Sequence, residues 1–271
     1  MGICSDQSVT FLKNLGYNVV RHPNAAIKPL DLIGVQNKQP LYLGPLNLLI
    51  TNPPGPLPAI TANIVAADIN GQSSSTLKIG VGVTILGNLI GAMGGSNLGA
   101  SADFTNARQI TFAYNDVLND QAVPLEIGNY LRNADVDGGN KILQQYVLGN
   151  GNLYLITKTA KSRKFTVHFE RSNGVDASVT VPVLSGVAGG NVSVAASGAS
   201  SSTVSFTGTQ DLIFAFQCFQ VGVKDGVLTL VAAPAGATPL AVEEGIRVTP
   251  ELLPSDGLIE LGDGTAVGAA G

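Results

Sequence analysis

Residues 161–183 read KSRKFTVHFERSNGVDASVTVPV and contain the clearest β-hairpin pattern of the chain. Apolar and polar residues alternate before an Asn173-Gly174 pair, a dipeptide typical of tight hairpin turns, and valines return after it. Because such alternation is typical of strands with one buried face, the stretch predicts an antiparallel hairpin. The apolar residues of its two strands are Phe165, Val167, Phe169, Val175, Val179 and Val181.

Basic residues surround the start and the turn of this hairpin. They are Lys158, Lys161, Arg163, Lys164 and Arg171. A basic cluster beside uncharged, apolar chain suits contact with anionic lipid head groups. His168 falls on the polar face of the first strand, and we interpret it as a surface side chain.

Two stretches contain no charged residue: residues 79–102, with 24 positions, and residues 177–210, with 34. Gaps of this length are unusual for a soluble domain and require an explanation. In residues 79–86 the branched residues alternate with smaller ones or leucine, and this period of two predicts a strand. The branched residues are Ile79, Val81, Val83 and Ile85.

Glycines follow this predicted strand at four-residue spacing, as Gly87, Gly91 and Gly95. The spacing suits close packing of helices in lipid, but a Gly-rich strand and loop under a soluble core is the preferred interpretation. In the second uncharged stretch, alternation around Val192, Val194 and Val204 predicts further strands, although a disordered linker has a similar composition.

The remaining pattern predicts short strands and a few short helices, an α+β fold with a mostly antiparallel sheet. Helices are predicted at residues 6–15, 124–134 and 139–149, the first with Ser5 as its N-cap and Gly16 as its terminator. The helix at 139–149 places Ile142, Leu143, Tyr146 and Val147 on one face. Strands are predicted at 17–23, 30–35, 60–71, 108–117 and, with Cys218 as a buried apolar residue, 212–233.

The C-terminal segment differs from the rest of the chain in its charge. Residues 1–232 contain 14 basic and 13 acidic residues, whereas residues 233–271 contain one basic and six acidic residues. An exposed, cleavable linker is predicted at 234–249, and it includes Pro234, Pro239, Leu240 and Gly245. Beyond it, a tail at 250–271 offers apolar residues able to occupy a groove: Leu252, Leu253, Leu258, Ile259 and Leu261. An ordinary acidic C-terminus is the alternative.

Enzymatic and metal-binding motifs are sparse. The glycines do not match a dinucleotide or phosphate loop, and the only two histidines, His22 and His168, lack partners at a metal or triad spacing. The two cysteines, Cys4 and Cys218, do not resemble a disulfide framework, which indicates a reducing compartment. No secretory signal or transmembrane helix is evident, and the charge pattern disfavours nucleic-acid binding.

Several of these features together resemble the bacterial gasdermins. They are FLKNLGYNVVRHP at 11–23 after an N-terminal cysteine, LDLIG at 30–34, the two uncharged segments and the short acidic C-terminal extension. The resemblance implies a twisted sheet in a soluble, autoinhibited cytoplasmic form. A caspase-like protease would remove the C-terminal peptide, and the body would oligomerise into a large β-barrel pore in the inner membrane, causing cell death in antiphage defence.

The resemblance also implies roles for particular residues. Cys4 would carry a covalent palmitate, with no other cofactor, and the basic cluster would meet anionic lipids. Leu240 is a candidate for the cut. The expected membrane-inserting residues are Ile79, Val81, Val83, Ile85, Phe165, Val167, Phe169, Val179, Val181, Val192 and Val194. A structural Gly/Ala-rich β-protein, such as a phage coat or fibre module without membrane activity, is the alternative function.

Overall fold

The computed structural model describes residues 12, 14–37, 39–71, 76–95, 106–147, 149–171, 174–224, 227–230 and 258–259. Its helices are α1 Ile79–Ala92, α2 Pro124–Arg132, α3 Lys141–Val147 and α4 Val181–Ala188, with a 3-10 turn at Leu46–Leu48. Its strands are β1 Asn18–Asn24, β2 Asp31–Gln36, β3 Gln39–Pro45, β4 Ile50–Asn52, β5 Ile60–Val65, β6 Leu77–Lys78, β7 Gln109–Asn115, β8 Leu118–Ala122, β9 Asp135–Val136, β10 Asn152–Glu170, β11 Val179–Thr180, β12 Ser193–Ala196, β13 Ser200–Ser201, β14 Thr203–Lys224, β15 Val227–Leu230 and β16 Leu258–Ile259.

Two long strands, β10 and β14, form the spine of the fold. They pair antiparallel from Leu153 opposite Val221 to His168 opposite Thr203, with three irregularities in register. Along its other edge β10 pairs in turn with β2, β8 and β7, and β14 pairs with β12, β1 and β15. Fourteen of the described strands belong to this sheet, and only β1 and β16 among them pair in parallel. The mostly antiparallel sheet with short helices is therefore confirmed.

The first strand of the predicted hairpin is confirmed in detail. From Lys164 to Glu170 side chains alternate strictly between partly exposed and buried, as expected for a strand with one covered face. After the turn, the Arg171 N–H donates to the Val175 carbonyl at 2.7 Å and the Ala177 N–H donates to the Phe169 carbonyl at 2.9 Å. The outgoing strand is thus present and the chain reverses direction after it, while residue 173 of the predicted turn lies outside the described residues.

The returning strand of that hairpin was predicted too long. Val175 is 56% exposed, β11 pairs with β13 instead of β10, and Val181 begins helix α4. Pro182 explains the change, because proline is favoured in the first helical turn, where its missing N–H costs nothing. Gly189, at φ 78°, then ends the helix.

The predicted strand at residues 79–86 is wrong, because these residues begin the 14-residue helix α1. The alternation covers only the first two turns, whereas the buried residues Val83, Leu86, Ile90 and Met93 follow a helical spacing of three to four. Packing of this longer apolar face on the sheet therefore outweighs the strand preference of the branched residues. None of the described helices is both long and apolar enough to cross a membrane.

Most other predicted elements fall where the pattern placed them, although the strand predicted from residue 60 ends at Val65 and residues 67–71 form a turn. Helix α3 buries Leu143 and Tyr146, but Ile142 is 60% exposed instead of sharing their face. The end of the N-terminal helix is confirmed: Gly16 has φ 78°, and the Tyr17 N–H donates to the Leu12 carbonyl at 2.9 Å, as in a Schellman motif. Its predicted start at Ser5 lies outside the described residues.

Candidate functional site

One apolar cluster gathers the residues that the sequence marks as membrane-inserting. Of its twenty buried members, five come from the first uncharged stretch and seven from the second, and we call the cluster the segment core. The predicted residues Val83, Phe165, Val167, Phe169, Val179 and Val192 are buried members of it. Ile79, Ile85, Val181 and Val194 pack against it, while the side chain of Val81 is outside the description.

The centre of the segment core is built by the spine strands. Phe165 lies opposite Phe206 and Val167 opposite Val204, and the two phenyl rings stack with centroids 5.2 Å apart. Truncation of such a buried phenylalanine typically costs about 3–5 kcal/mol. These side chains can therefore leave the core at little net cost only if another apolar phase receives them.

Helix α1 covers this core at close range. Gly82 faces β7, where an added Cβ would overlap the Ile110 side chain. At its other end the helix meets the segment after α4, and the Asn191 amide donates to the Gly94 carbonyl at 3.2 Å. The described parts of the two uncharged stretches thus bury their apolar side chains in one cluster, to which the second stretch also contributes β12 and the start of β14 from the sheet itself.

A short strand of the C-terminal tail lies at the edge of the sheet. Leu258 and Ile259 form β16, which pairs in parallel with β1 by placing Leu258 opposite Val19 and Ile259 opposite Val20. Among the described strands only β16 pairs with this edge of β1, and an uncovered strand edge favours addition of another strand. The other predicted tail residues, Leu252, Leu253 and Leu261, lie outside the described residues.

The opposite edge of β1 is held by the spine. Asn18 and Val19 pair with β14, after which the register shifts before Asn24. Next to β1, the Gln217 side chain donates to the Leu15 carbonyl at 2.8 Å, which fixes the end of the N-terminal helix to β14. Tyr17 is fully buried beside it; this burial, with a smaller effect of Asp68, raises the pKa of its hydroxyl.

The predicted head-group cations lie along β10, but acidic or aromatic groups accompany most of them. The Lys161 ammonium donates to Asp120 Oδ2 at 2.6 Å, and only 14% of its side chain is exposed. Asp116 lies 3.5 Å from the Lys164 ammonium and Asp211 lies 3.9 Å from the Arg163 guanidinium, while the Lys158 ammonium lies 5.5 Å from the centroid of the Tyr17 ring. Arg171 is exposed just beyond the strand. Three of the five cations are therefore paired with carboxylates, so the surface is not a bare basic patch.

His168 occupies the tip of the hairpin, where it joins three groups. Its Nδ1 lies 3.0 Å from the Thr203 hydroxyl, and its Nε2 lies 3.3 Å from Asp176 and 3.6 Å from Glu170. It is partly exposed, as a surface side chain should be. Sequence reasoning missed its two acidic neighbours, although both lie within eight positions of it.

The remaining predicted site residues divide into two groups. Cys218 is fully buried, and the Asn18 side-chain amide donates to its sulfur at 3.6 Å, as expected of a core residue. Cys4 and the linker residues lie outside the described residues. The linker residues are Pro234, Pro239, Leu240 and Gly245.

Comparison with known proteins places these features in a family. The model of the Bacterial Gasdermin Family matches residues 20–227. A protein named gasdermin bGSDM from Vitiosangium sp. (strain GDMCC 1.1324) is 45% identical over 264 residues, covering 96% of this chain and 99% of that protein. A gasdermin bGSDM from a Desulfuromonadales bacterium is 36% identical and covers 84% of this chain and 86% of its own.

The fold is also similar to that of a solved structure. A bacterial gasdermin from Bradyrhizobium tropiciagri superposes with a TM-score of 0.67 at 17% identity, over 94% of this chain and 96% of that one. At this identity the likeness concerns the fold alone. It agrees with the curled, mostly antiparallel sheet and its few short helices.

Proposed function

The chain belongs to the bacterial gasdermin family, whose members form pores and are not enzymes, and we propose that its own C-terminal tail blocks pore formation. In this proposal residues 1–233 are the pore-forming body, residues 234–249 a protease-sensitive linker and residues 250–271 the inhibitory tail. A caspase-like protease cuts the linker. Family membership replaces the alternative of a structural coat or fibre module.

The pairing of β16 with β1 is the observation that carries the proposal. The tail strand covers an edge of β1 with which no other strand in the described part of the chain pairs. Within the described part of the chain, two tail residues, Leu258 and Ile259, pair with β1. A tail strand that is joined to the body through a cleavable linker suits a brake that one proteolytic event releases.

The segment core supports the step that follows release. It buries predicted membrane-inserting side chains from both uncharged stretches in one apolar cluster. A strand needs about 9–11 residues to cross a bilayer, and α1 alone has 14 residues. We therefore expect α1 to unwind into strand, while freed copies of the chain oligomerise so that backbone groups remain paired in lipid.

The paired charges along β10 support a role for anionic lipids. Arg163 and Lys164 keep 60% and 42% of their side-chain surface, and their pairings to acids are long. Exposed ion pairs contribute about 0–1 kcal/mol, so lipid phosphates can compete for both cations. Lys161 is held more tightly and is a weaker candidate for this exchange.

The protein would act from the cytoplasm on the inner membrane.

Cys4 is the proposed site of palmitoylation. It lies eight positions before Leu12, which is buried against the sheet beside Tyr17. Each methylene of an acyl chain that is buried in the bilayer contributes about 0.8 kcal/mol to membrane binding. This contribution adds to the attraction between the cations and anionic lipids. Intact mass spectrometry should show one thioester-linked acyl group that Cys4→Ala abolishes and Cys218→Ala retains. An unacylated wild-type protein from a bacterial cell would refute this assignment.

The proposal as a whole is tested by dye release from vesicles that contain anionic lipid. A recognition site for a sequence-specific protease is placed within residues 234–245, and a matched variant carries a scrambled, uncleavable site. Uncut protein and the scrambled variant should be inert, whereas the cut protein should release dye. No release by fully cut protein would refute the proposed function.

A further inference from the structure

A cleft of about 290 Å³ opens where β1 leaves the sheet. The turn after β1 forms one wall, and side chains of β5, β8, β10 and β14 form the others. Its apolar lining includes Ile27, Ile60 and Ile213. Ligand pockets usually measure about 300–1,000 Å³, so the cleft has room for a head group but not for a whole lipid.

The charges of this cleft are balanced. Its lining includes two lysines and two aspartates: Lys28, Lys161, Asp120 and Asp211. Lys161 and Asp120 neutralise each other at 2.6 Å and are mostly buried. Lys28 is exposed, and Asp211, which lies 3.9 Å from the Arg163 guanidinium, keeps 34% of its side-chain surface, so one cation and one anion stay accessible to a ligand.

The walls are fixed before any ligand arrives. The Lys28 N–H donates to Asp31 Oδ2 at 2.7 Å, and the Tyr42 hydroxyl donates to the same oxygen at 3.0 Å. On the other side, Asp120 Oδ1 accepts from the Asn63 N–H at 2.8 Å, which ties the strand of Ile60 to the buried ion pair. A preformed site loses less entropy on binding.

From this geometry we infer that the cleft binds the zwitterionic head group of a phosphatidylethanolamine-type lipid. The phosphate lies beside Lys28, the primary ammonium donates to the Asp211 carboxylate, and the first methylenes contact the isoleucines. Because the lining carries no net charge, the attraction of a purely anionic head group to the lysines is offset by its repulsion from the aspartates. A choline head group has no N–H to donate to Asp211.

This inference rests on the proposed function and refines it, because the cleft residue Asp211 is the partner of Arg163, one of the two cations for which lipid phosphates compete in that proposal. It assigns the ethanolamine lipid to the cleft, while the anionic lipids contact Arg163 and Lys164. The lipid specificity of the cleft can be measured on uncut protein, independently of pore formation.

The test is isothermal titration of the uncut, full-length protein with dihexanoyl lipids below their micelle concentration. The ethanolamine lipid should bind at least about tenfold more tightly than the glycerol or choline lipid, which corresponds to one charge-assisted hydrogen bond. O-phosphoethanolamine, which lacks the chains, should bind more weakly than the ethanolamine lipid. Equal binding of O-phosphoethanolamine would assign the cleft to a soluble compound and overturn the lipid assignment.

Matched variants locate the binding. Lys28→Gln and Asp211→Asn should each weaken binding of the ethanolamine lipid by about tenfold, whereas Lys141→Gln, an exposed lysine outside the cleft, should leave it unchanged. Equal affinity for the glycerol lipid, or unchanged affinity in both cleft variants, would overturn the inference. The titration uses uncut protein and involves no pore. Absence of dye release by the cut protein would therefore refute the proposed function and leave the result of the titration unchanged.

Discussion

Val19 lies opposite Leu258 in a parallel pairing that joins the body of the protein to its C-terminal tail. The same residue lies opposite Ala215 of the spine on its other side. β1 is therefore the strand through which the tail and the spine are connected. Just before it, the N-terminal helix is fixed to β14 through the Gln217 side chain, which donates to the Leu15 carbonyl.

Disruption of the tail strand should activate the protein without proteolysis. Proline cannot donate to a sheet ladder, so Leu258→Pro combined with Ile259→Pro removes any N–H that these two residues offer to β1. We expect the uncut double variant to release dye from vesicles. The matched control, Leu258→Val with Ile259→Val, keeps strand-forming residues and should stay inert. If the uncut proline variant releases no dye, β16 is not the element that inhibits pore formation.

Two glycines of α1 give opposite predictions for its stability. Gly82→Ala places a Cβ against Ile110 and should destabilise the protein by about 1–3 kcal/mol. Gly91 is exposed with open space around it, so Gly91→Ala should stabilise the helix by up to about 1 kcal/mol. Urea denaturation of the full chain measures both free energies of unfolding.

The same pair also tests whether α1 has to unwind. In cut protein, Gly91→Ala should slow dye release, because the helix that must be lost has become more stable. Gly82→Ala should accelerate it for the opposite reason. Identical release rates in the two variants and the wild type would contradict unwinding of α1 before or during insertion.

Asp31 gives a prediction for the dependence of stability on pH. Burial is the main cause that raises the pKa of this carboxyl, partly opposed by the hydrogen bonds from the Lys28 N–H and the Tyr42 hydroxyl. A raised pKa in the folded state means that stability is present at low pH and lost as the pH rises through the folded-state pKa. The wild type should therefore gain stability relative to Asp31→Asn as the pH falls from 7 towards the ordinary carboxyl range of about 4.

Tyr42→Phe provides the control for this pH effect. The variant removes one hydrogen bond that favours the ionised carboxylate, so the gain in stability should begin at a higher pH than in the wild type. Urea denaturation at a series of pH values measures both curves. A wild-type curve parallel to that of Asp31→Asn over the whole range would show that Asp31 does not titrate in this way.

The sequence predicts most strands of this fold, but not that residues 79–92 and 181–188 form helices. Alternation identified the outgoing hairpin strand, because Phe165, Val167 and Phe169 all face one core. The same rule failed at residues 79–86, where the helical spacing of Val83, Leu86 and Ile90 extends further than the alternation. Pro182 and Gly189 could have predicted α4, since they mark the start and end of a short helix.

The candidate site was only partly predictable. The residues of the segment core could be named in advance, but not that one cluster would bury them, because its members span more than a hundred positions. The acidic partners of Lys161 and Lys164 were missed for a similar reason: Asp120 and Asp116 precede them by more than forty positions. Pairing of a two-residue strand such as β16 with β1 leaves no periodic pattern at all.

Tethering of the tail strand tests the central claim most directly. Val20 lies opposite Ile259, so Val20→Cys and Ile259→Cys can be joined by a disulfide, verified by mass spectrometry, in a protein with a cleavable site in the linker. After the cut, the oxidised protein should remain inert on vesicles and should release dye once a reductant is added. Equal dye release by the oxidised and reduced cut proteins would contradict the account, since the tail would then inhibit without occupying the edge of β1.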